Sequence, residues 1–90
     1  QAERLSLVAH TCDLSMGGVK LVCPVMLATG SSVMLGFVLA DRSGGKTIEH
    51  VVGRVVWCKS DHESNFVGVE FATLLQEETN PLLARRLLDA

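Results

Sequence analysis

The sequence predicts a mainly β domain of antiparallel strands, closed off by one short C-terminal helix. Three observations carry this. Apolar and polar residues alternate with period two in segment after segment. Clusters of Gly, Ser, Asp and Asn punctuate those segments as turns do. After residue 78 the period lengthens and Asn80-Pro81 opens a helical pattern.

The first strand is expected over residues 4–12, where Leu5, Leu7 and Ala9 alternate with Arg4, Ser6 and His10. Asp13-Leu14-Ser15-Met16-Gly17-Gly18 follows as a turn. Asp and Ser can bond the main chain one or two residues on, and glycine reaches positive φ without steric cost. A second strand, Val19 to Cys23, is stopped by Pro24. Residues 24–32 cross over with Met26 and Leu27 tucked inward, and Val33, Leu35, Phe37 and Leu39 then share one face of a third strand. Asp41 to Lys46 reads as a hairpin loop. It is no phosphate-binding loop, because Gly45-Lys46-Thr47 opens a strand and not a helix.

The fourth strand, Thr47 to Lys59, and the fifth, Asn65 to Ala72, flank a polar loop at residues 60–64. Setting Trp57 opposite Val67 brings Val55 against Val69 and Gly53 against Phe71 on a core face. The same register sets Arg54 opposite Glu70 outside, an ion pair worth roughly 0.2–1 kcal/mol. The expected core is thus Val33, Leu35, Phe37, Val55, Trp57, Val67, Val69 and Phe71. In the tail, a short turn over residues 74–78 precedes a helix of about ten residues. Asn80 caps it and Pro81 takes its first position. Leu82, Leu83, Ala84, Leu87 and Leu88 form its apolar side. A helix this short holds only by packing on the sheet. Alternation alone permits either a barrel or a sandwich.

Ninety residues, 48% hydrophobic and 20% charged, make one ordinary globular domain with a modest core. A net charge of −2 argues against non-specific nucleic-acid binding, but not against a small dianion that needs only a few local donors. No apolar run reaches the roughly 18–20 residues of a membrane span. The chain starts without methionine, so Gln1 is read as a fragment boundary within a longer protein. Three cysteines without a pairing motif point to a reducing cytoplasm. His10-x-Cys12, Cys58 and His62 lack the four-ligand spacing of zinc and are read as reduced thiols and surface histidines, with no metal. No serine sits in G-x-S-x-G and no cysteine has a histidine at a catalytic spacing, so no enzyme is expected.

Asp13-x-Ser15-x-x-Gly18 at a strand end, followed by Val19-x-Leu21, resembles the second signature of PilZ domains, bacterial receptors for cyclic di-GMP. Gly53-Arg54-Val55-Val56-Trp57 and Val67-Gly68-Val69-Glu70-Phe71 resemble the strands that close that family's barrel. The resemblance runs from about residue 3 to the end, and it implies a small antiparallel β-barrel of about six strands. It implies a non-catalytic second-messenger receptor that couples cyclic di-GMP to a partner domain or protein. Asp13, Ser15 and Gly18 would contact the nucleotide or shape its site, and no other cofactor is implied. The carboxylate of Asp13 suits the two adjacent N–H donors of a guanine edge.

The family's first signature, R-x-x-x-R, is not found in this chain, since Arg4 has no arginine four residues away and position 8 is Val; either the chain begins after that motif or it is a divergent member that lost it. Arg4 and Lys20, the cations near the turn, do not occupy matching positions and are read as solvated strand residues. This chain is therefore expected to bind the dinucleotide weakly. The alternative is a divergent PilZ-like module that binds a protein and no nucleotide.

Overall fold

A computed structural model describes residues 6–88. Five strands run in the order β1 (His10–Leu14), β2 (Gly18–Cys23), β3 (Ser32–Ala40), β4 (Lys46–Asp61) and β5 (Ser64–Phe71), followed by α1 (Pro81–Leu88). They form one antiparallel sheet, β1-β2-β5-β4-β3, curled into a half-barrel. The mainly β class with a C-terminal helix is as expected, with five strands among the described residues where about six were anticipated.

The first strand is shorter than its alternation suggests. It begins at His10, opposite Val22, and β2 ends one residue later at Cys23, where Pro24 follows. Residues before Ala9 therefore have no β2 backbone to pair with, while Ala9 itself still packs against the core. Leu7 is exposed there and Val8 strongly so, while Leu5 and Arg4 lie outside the described residues. Met26 is likewise exposed, and of the crossing loop only Leu27 packs against the core.

The core lies on the concave face. Val19, Leu21 and Cys23 of β2, Val51 and Val55 of β4, and Val67, Val69 and Phe71 of β5 are buried there, with Leu75 and Leu83 from the tail. Val33, Leu35 and Phe37 pack against this cluster half-buried, because β3 is an edge strand. The expected pairs Val55↔Val69, Gly53↔Phe71 and Arg54↔Glu70 all occur. Trp57 does not join the core. A bulge between Val55 and Trp57 shifts the register, so Gly68 faces Trp57 and Val67 faces Cys58. One extra residue reverses the side on which all following side chains point. Cys58 turns inward in place of Trp57, which lies on the convex face 41% exposed. Burial raises the pKa of the Cys23 thiol, and the nearby Cys58 adds to the effect.

The helix is anchored by a residue that the sequence pattern does not single out. Glu49, on the concave side of β4 and buried, accepts hydrogen bonds from the N–H groups of Leu82 (2.9 Å) and Leu83 (3.0 Å). These are helix donors without an intrahelical partner, and a carboxylate there also faces the positive end of the helix dipole. Asn80 sits at the N-cap, its carbonyl accepting from Ala84 N at 2.9 Å. Its side chain does not cap: the amide donates to the His50 carbonyl at 3.2 Å. Asn80 and Glu49 thus tie the helix start to adjacent residues of β4. The turn before it covers residues 77–79, and Leu75, almost fully buried, precedes it. No helix of the described residues is long and apolar enough to cross a membrane.

Candidate functional site

The β1–β2 connection is closed by Ser15, whose N–H and hydroxyl both donate to the Gly18 carbonyl, at 2.9 and 3.3 Å. The carbonyls of Met16 and Gly17 accept from Leu75 N and Phe71 N at 2.9 and 2.8 Å. The turn is therefore clipped to the end of β5 and to the segment behind it. Its glycines are not there for positive φ; among the described residues that conformation occurs at Gly30, Gly44 and His62. Gly18 is required by proximity instead. A Cβ at Gly18 would lie 2.5 Å from the Val69 carbonyl oxygen across the β2–β5 ladder, far inside contact distance.

Asp13 reaches the convex face through an irregularity in β1 between Thr11 and Asp13, which leaves the next residue, Leu14, packed inward. It stands opposite Lys20, yet the Lys20 ammonium lies over the Phe66 ring, 5.2 Å from its centroid. Among the described residues the carboxylate of Asp13 has no hydrogen-bond or ion-pair partner, so both its oxygens can accept from a ligand. The hydroxyl of Ser15 has one long bond to exchange.

Sheet register then carries the site across four strands. Asp13 pairs with Lys20, Lys20 with Gly68 and Gly68 with Trp57, making one row over β1, β2, β5 and β4. Gly68 lacks the side chain that would fill the middle of this row, and the indole of Trp57 lies across the gap. A Cβ at Gly68 would run into Nε1 and Cε2 of that ring and meet Cδ1 at 2.7 Å. An open cleft of about 360 Å³ results, with Asp13, Ser15, Gly18, Lys20, Trp57 and Glu70 on its walls.

Asp13, Ser15 and Gly18, the three residues singled out from the sequence, thus border a single cleft. Trp57 and Glu70 are additions that the sequence pattern misplaced or left aside. The clue to Trp57 was Gly68, a residue without a side chain amid the bulky residues of β5. Arg54 stands opposite Glu70 as expected, but no ion pair forms between them among the described residues, and the expected coupling is not realised.

The cleft offers two carboxylate acceptors, a short hydroxyl, an aromatic face and one ammonium. Such a set can read the N–H donors of a planar heterocycle and stack its ring. It is poorly furnished for phosphate, because among the described residues Lys20 is the one cation on its walls and Glu70 opposes it. The metal candidates do not converge: His10, Cys12 and His62 are exposed, Cys58 packs against the core, and no group of three metal-type side chains occurs among the described residues.

No curated protein and no solved structure matches the chain. The family model described as PilZ domain matches residues 1–89, nearly the whole length. With the signature turn, the paired closing strands and that match in agreement, the chain belongs to the PilZ domain family.

Proposed function

We propose that this chain is a non-catalytic cyclic di-GMP receptor domain, cytoplasmic, that couples the second messenger to a partner domain or protein. Asp13 accepts from the Watson–Crick edge of a guanine, Ser15 bonds the base or a phosphate oxygen, and Gly18 keeps β2 close enough to β5 for the site to exist. Trp57 supplies a stacking face. The observation that carries this proposal is the convergence of Asp13, Ser15 and Trp57, from β1, the turn and β4, on one cleft. Membership of a cyclic di-GMP-binding family adds to it.

Affinity in this chain is low. Hydrogen bonds exchanged with water net about 0.5–1.5 kcal/mol each, or roughly 1.5–3 when charged. Stacking on one aromatic adds about 1–3 kcal/mol. Against these stands a cost of about 4–15 kcal/mol for lost translation and rotation. Micromolar binding needs about −8 kcal/mol overall, and among the described residues two phosphates beside Glu70 find only Lys20. The acidic wall of the cleft, where Asp13 and Glu70 outnumber Lys20, favours, as the second proposal, a PilZ-like module that binds a protein and no nucleotide.

Titration of cyclic di-GMP against the chain, followed by calorimetry and by the fluorescence of its single tryptophan, Trp57, separates the two. Weak saturable quenching that Asp13→Ala and Ser15→Ala each diminish supports the receptor. No quenching at millimolar nucleotide, in a chain that remains folded, leaves the protein-binding module.

A further inference from the structure

A second groove, sharing no residue with the signature cleft, runs between the β3–β4 hairpin and α1 and encloses about 410 Å³. Its floor is apolar: Leu39, 5% exposed at the end of β3, and Leu82, half-buried at the helix start. Its rim is cationic, with Arg42 from the hairpin loop and Arg85 and Arg86 from the helix. The two helix arginines stand three and four positions after Leu82, on the same side of the helix. The chain holds eight Lys and Arg in all and a net charge of −2, so three arginines on one groove are a concentration and not a generally basic surface.

Among the described residues no carboxylate pairs with any of the three. Among the described residues the acid on the groove's wall, Asp41, is turned into its own loop. It accepts from Ser43 N at 3.0 Å, Ser43 Oγ at 2.7 Å and Gly45 N at 2.9 Å, with Thr47 Oγ1 at 3.4 Å. Basic residues in a last helical turn suit the helix dipole. That accounts for Arg85 or Arg86 taken singly, but not for Arg42 on another element or for the recessed leucines between.

We infer that this groove docks an acidic peptide segment in which an apolar side chain sits between acidic residues. The apolar side chain covers Leu39 and Leu82 while the flanking carboxylates meet Arg42, Arg85 and Arg86, to which guanidinium offers bidentate bonds. Concavity decides between a peptide and an anionic membrane. Leu39 and Leu82 are sunk between the hairpin and the helix, where they receive a protruding side chain and cannot themselves enter a bilayer. The inference does not depend on nucleotide binding in the signature cleft.

The test uses a labelled synthetic peptide, Asp-Glu-Leu-Asp-Glu, and fluorescence anisotropy with the full chain. Binding is expected to weaken about tenfold on raising salt from low to physiological strength or on replacing the peptide leucine by serine. Arg85→Glu with Arg86→Glu is expected to abolish it, as is Arg42→Glu, which leaves the helix untouched. Lysine at the same three positions retains part of it. Circular dichroism verifies that each variant is folded, and Asp13→Ala serves as a variant with unchanged peptide affinity. Equal affinity of parent and reversed-charge variants overturns the inference, as does indifference to the leucine. So does binding to vesicles containing anionic phospholipid in preference to the peptide.

Discussion

Replacing Trp57 by alanine tests the placement of the candidate site, because the cost depends on which face the indole occupies. In a core, truncating a residue of this size costs about 3–5 kcal/mol, part of it for the cavity left behind. On the convex face the sum differs. A fully buried aromatic of this kind removes about 150–250 Å² from water, and Trp57 is 41% exposed, so roughly 90–150 Å² is at stake. At about 25 cal/mol per Å² that is roughly 2–4 kcal/mol, an upper bound, since unfolded chains already bury some of this area. No cavity forms, because water fills the place the ring leaves over Gly68. The expected loss is about 2 kcal/mol, which a domain of ordinary stability, about 5–15 kcal/mol, survives.

Urea unfolding followed by far-ultraviolet circular dichroism measures it, as the substitution removes the only tryptophan. A loss of about 4 kcal/mol or more, or a chain that fails to fold, would refute the outward orientation and with it the stacking face of the cleft. Trp57→Phe completes the comparison: it keeps an aromatic face and is expected to retain more nucleotide-dependent signal in calorimetry than Trp57→Ala.

Glu49→Ala removes the acceptor of two helix N–H groups in a buried position and is expected to cost about 2–3 kcal/mol, read as a lower urea midpoint and reduced helical signal. Glu49→Gln, which keeps the reach of the side chain, recovers part of that loss. Gly18→Ala forces a methyl group against the Val69 carbonyl, and its expected cost of roughly 1–3 kcal/mol appears in urea unfolding without any ligand present. Full stability in that variant would return Gly18 to a purely ligand-shaping role. The hydrogen bonds from Ser43, Gly45 and Thr47 hold the Asp41 carboxyl below the usual carboxylate range. Their contribution to the β3–β4 loop is present above that range and lost as pH falls through the lowered value. Amide protection in residues 41–47, measured against the intrinsic exchange rate at each pH, is therefore expected to fall in acid, and Asp41→Ala to lower it at neutral pH.

Most of the architecture was legible because strand physics is local. Alternation fixed the concave faces of β2, β3 and β5, Pro24 fixed the end of β2, the Asp41–Lys46 hairpin set β3 beside β4, and pairing Val55 with Val69 set β5 on its other side. What was not legible depends on contacts far apart in sequence. Glu49 alternates correctly as an inward residue of β4, but an inward carboxylate looks like an error until α1 presents two N–H groups to it from 33 and 34 positions away. The cap of the helix therefore lay outside any window around Asn80. The bulge in β4 is invisible for a related reason: counting by twos from Val55 puts Trp57 inside, and a single unpaired residue, Val56, is enough to put it outside.

That bulge makes the signature turn and the fourth strand parts of one site. Without it, Trp57 would compete with Val67 and Leu21 for the core, and the convex row would run from Asp13 through Lys20 and Gly68 to the aliphatic Val56, with no aromatic face. With it, the indole lies on the same face as Asp13 and closes the cleft from the far side. Gly68 and the bulge are then two halves of one device, since a side chain at 68 would push the ring away even with the bulge in place. Gly68→Ala is expected to raise the exposure of Trp57, seen as a red-shifted emission and easier quenching by iodide. Stability should fall less than in Trp57→Ala, because the ring moves and is not lost. Unchanged emission in a folded Gly68→Ala variant would mean that the indole does not rest on that glycine, and Trp57 would leave the site.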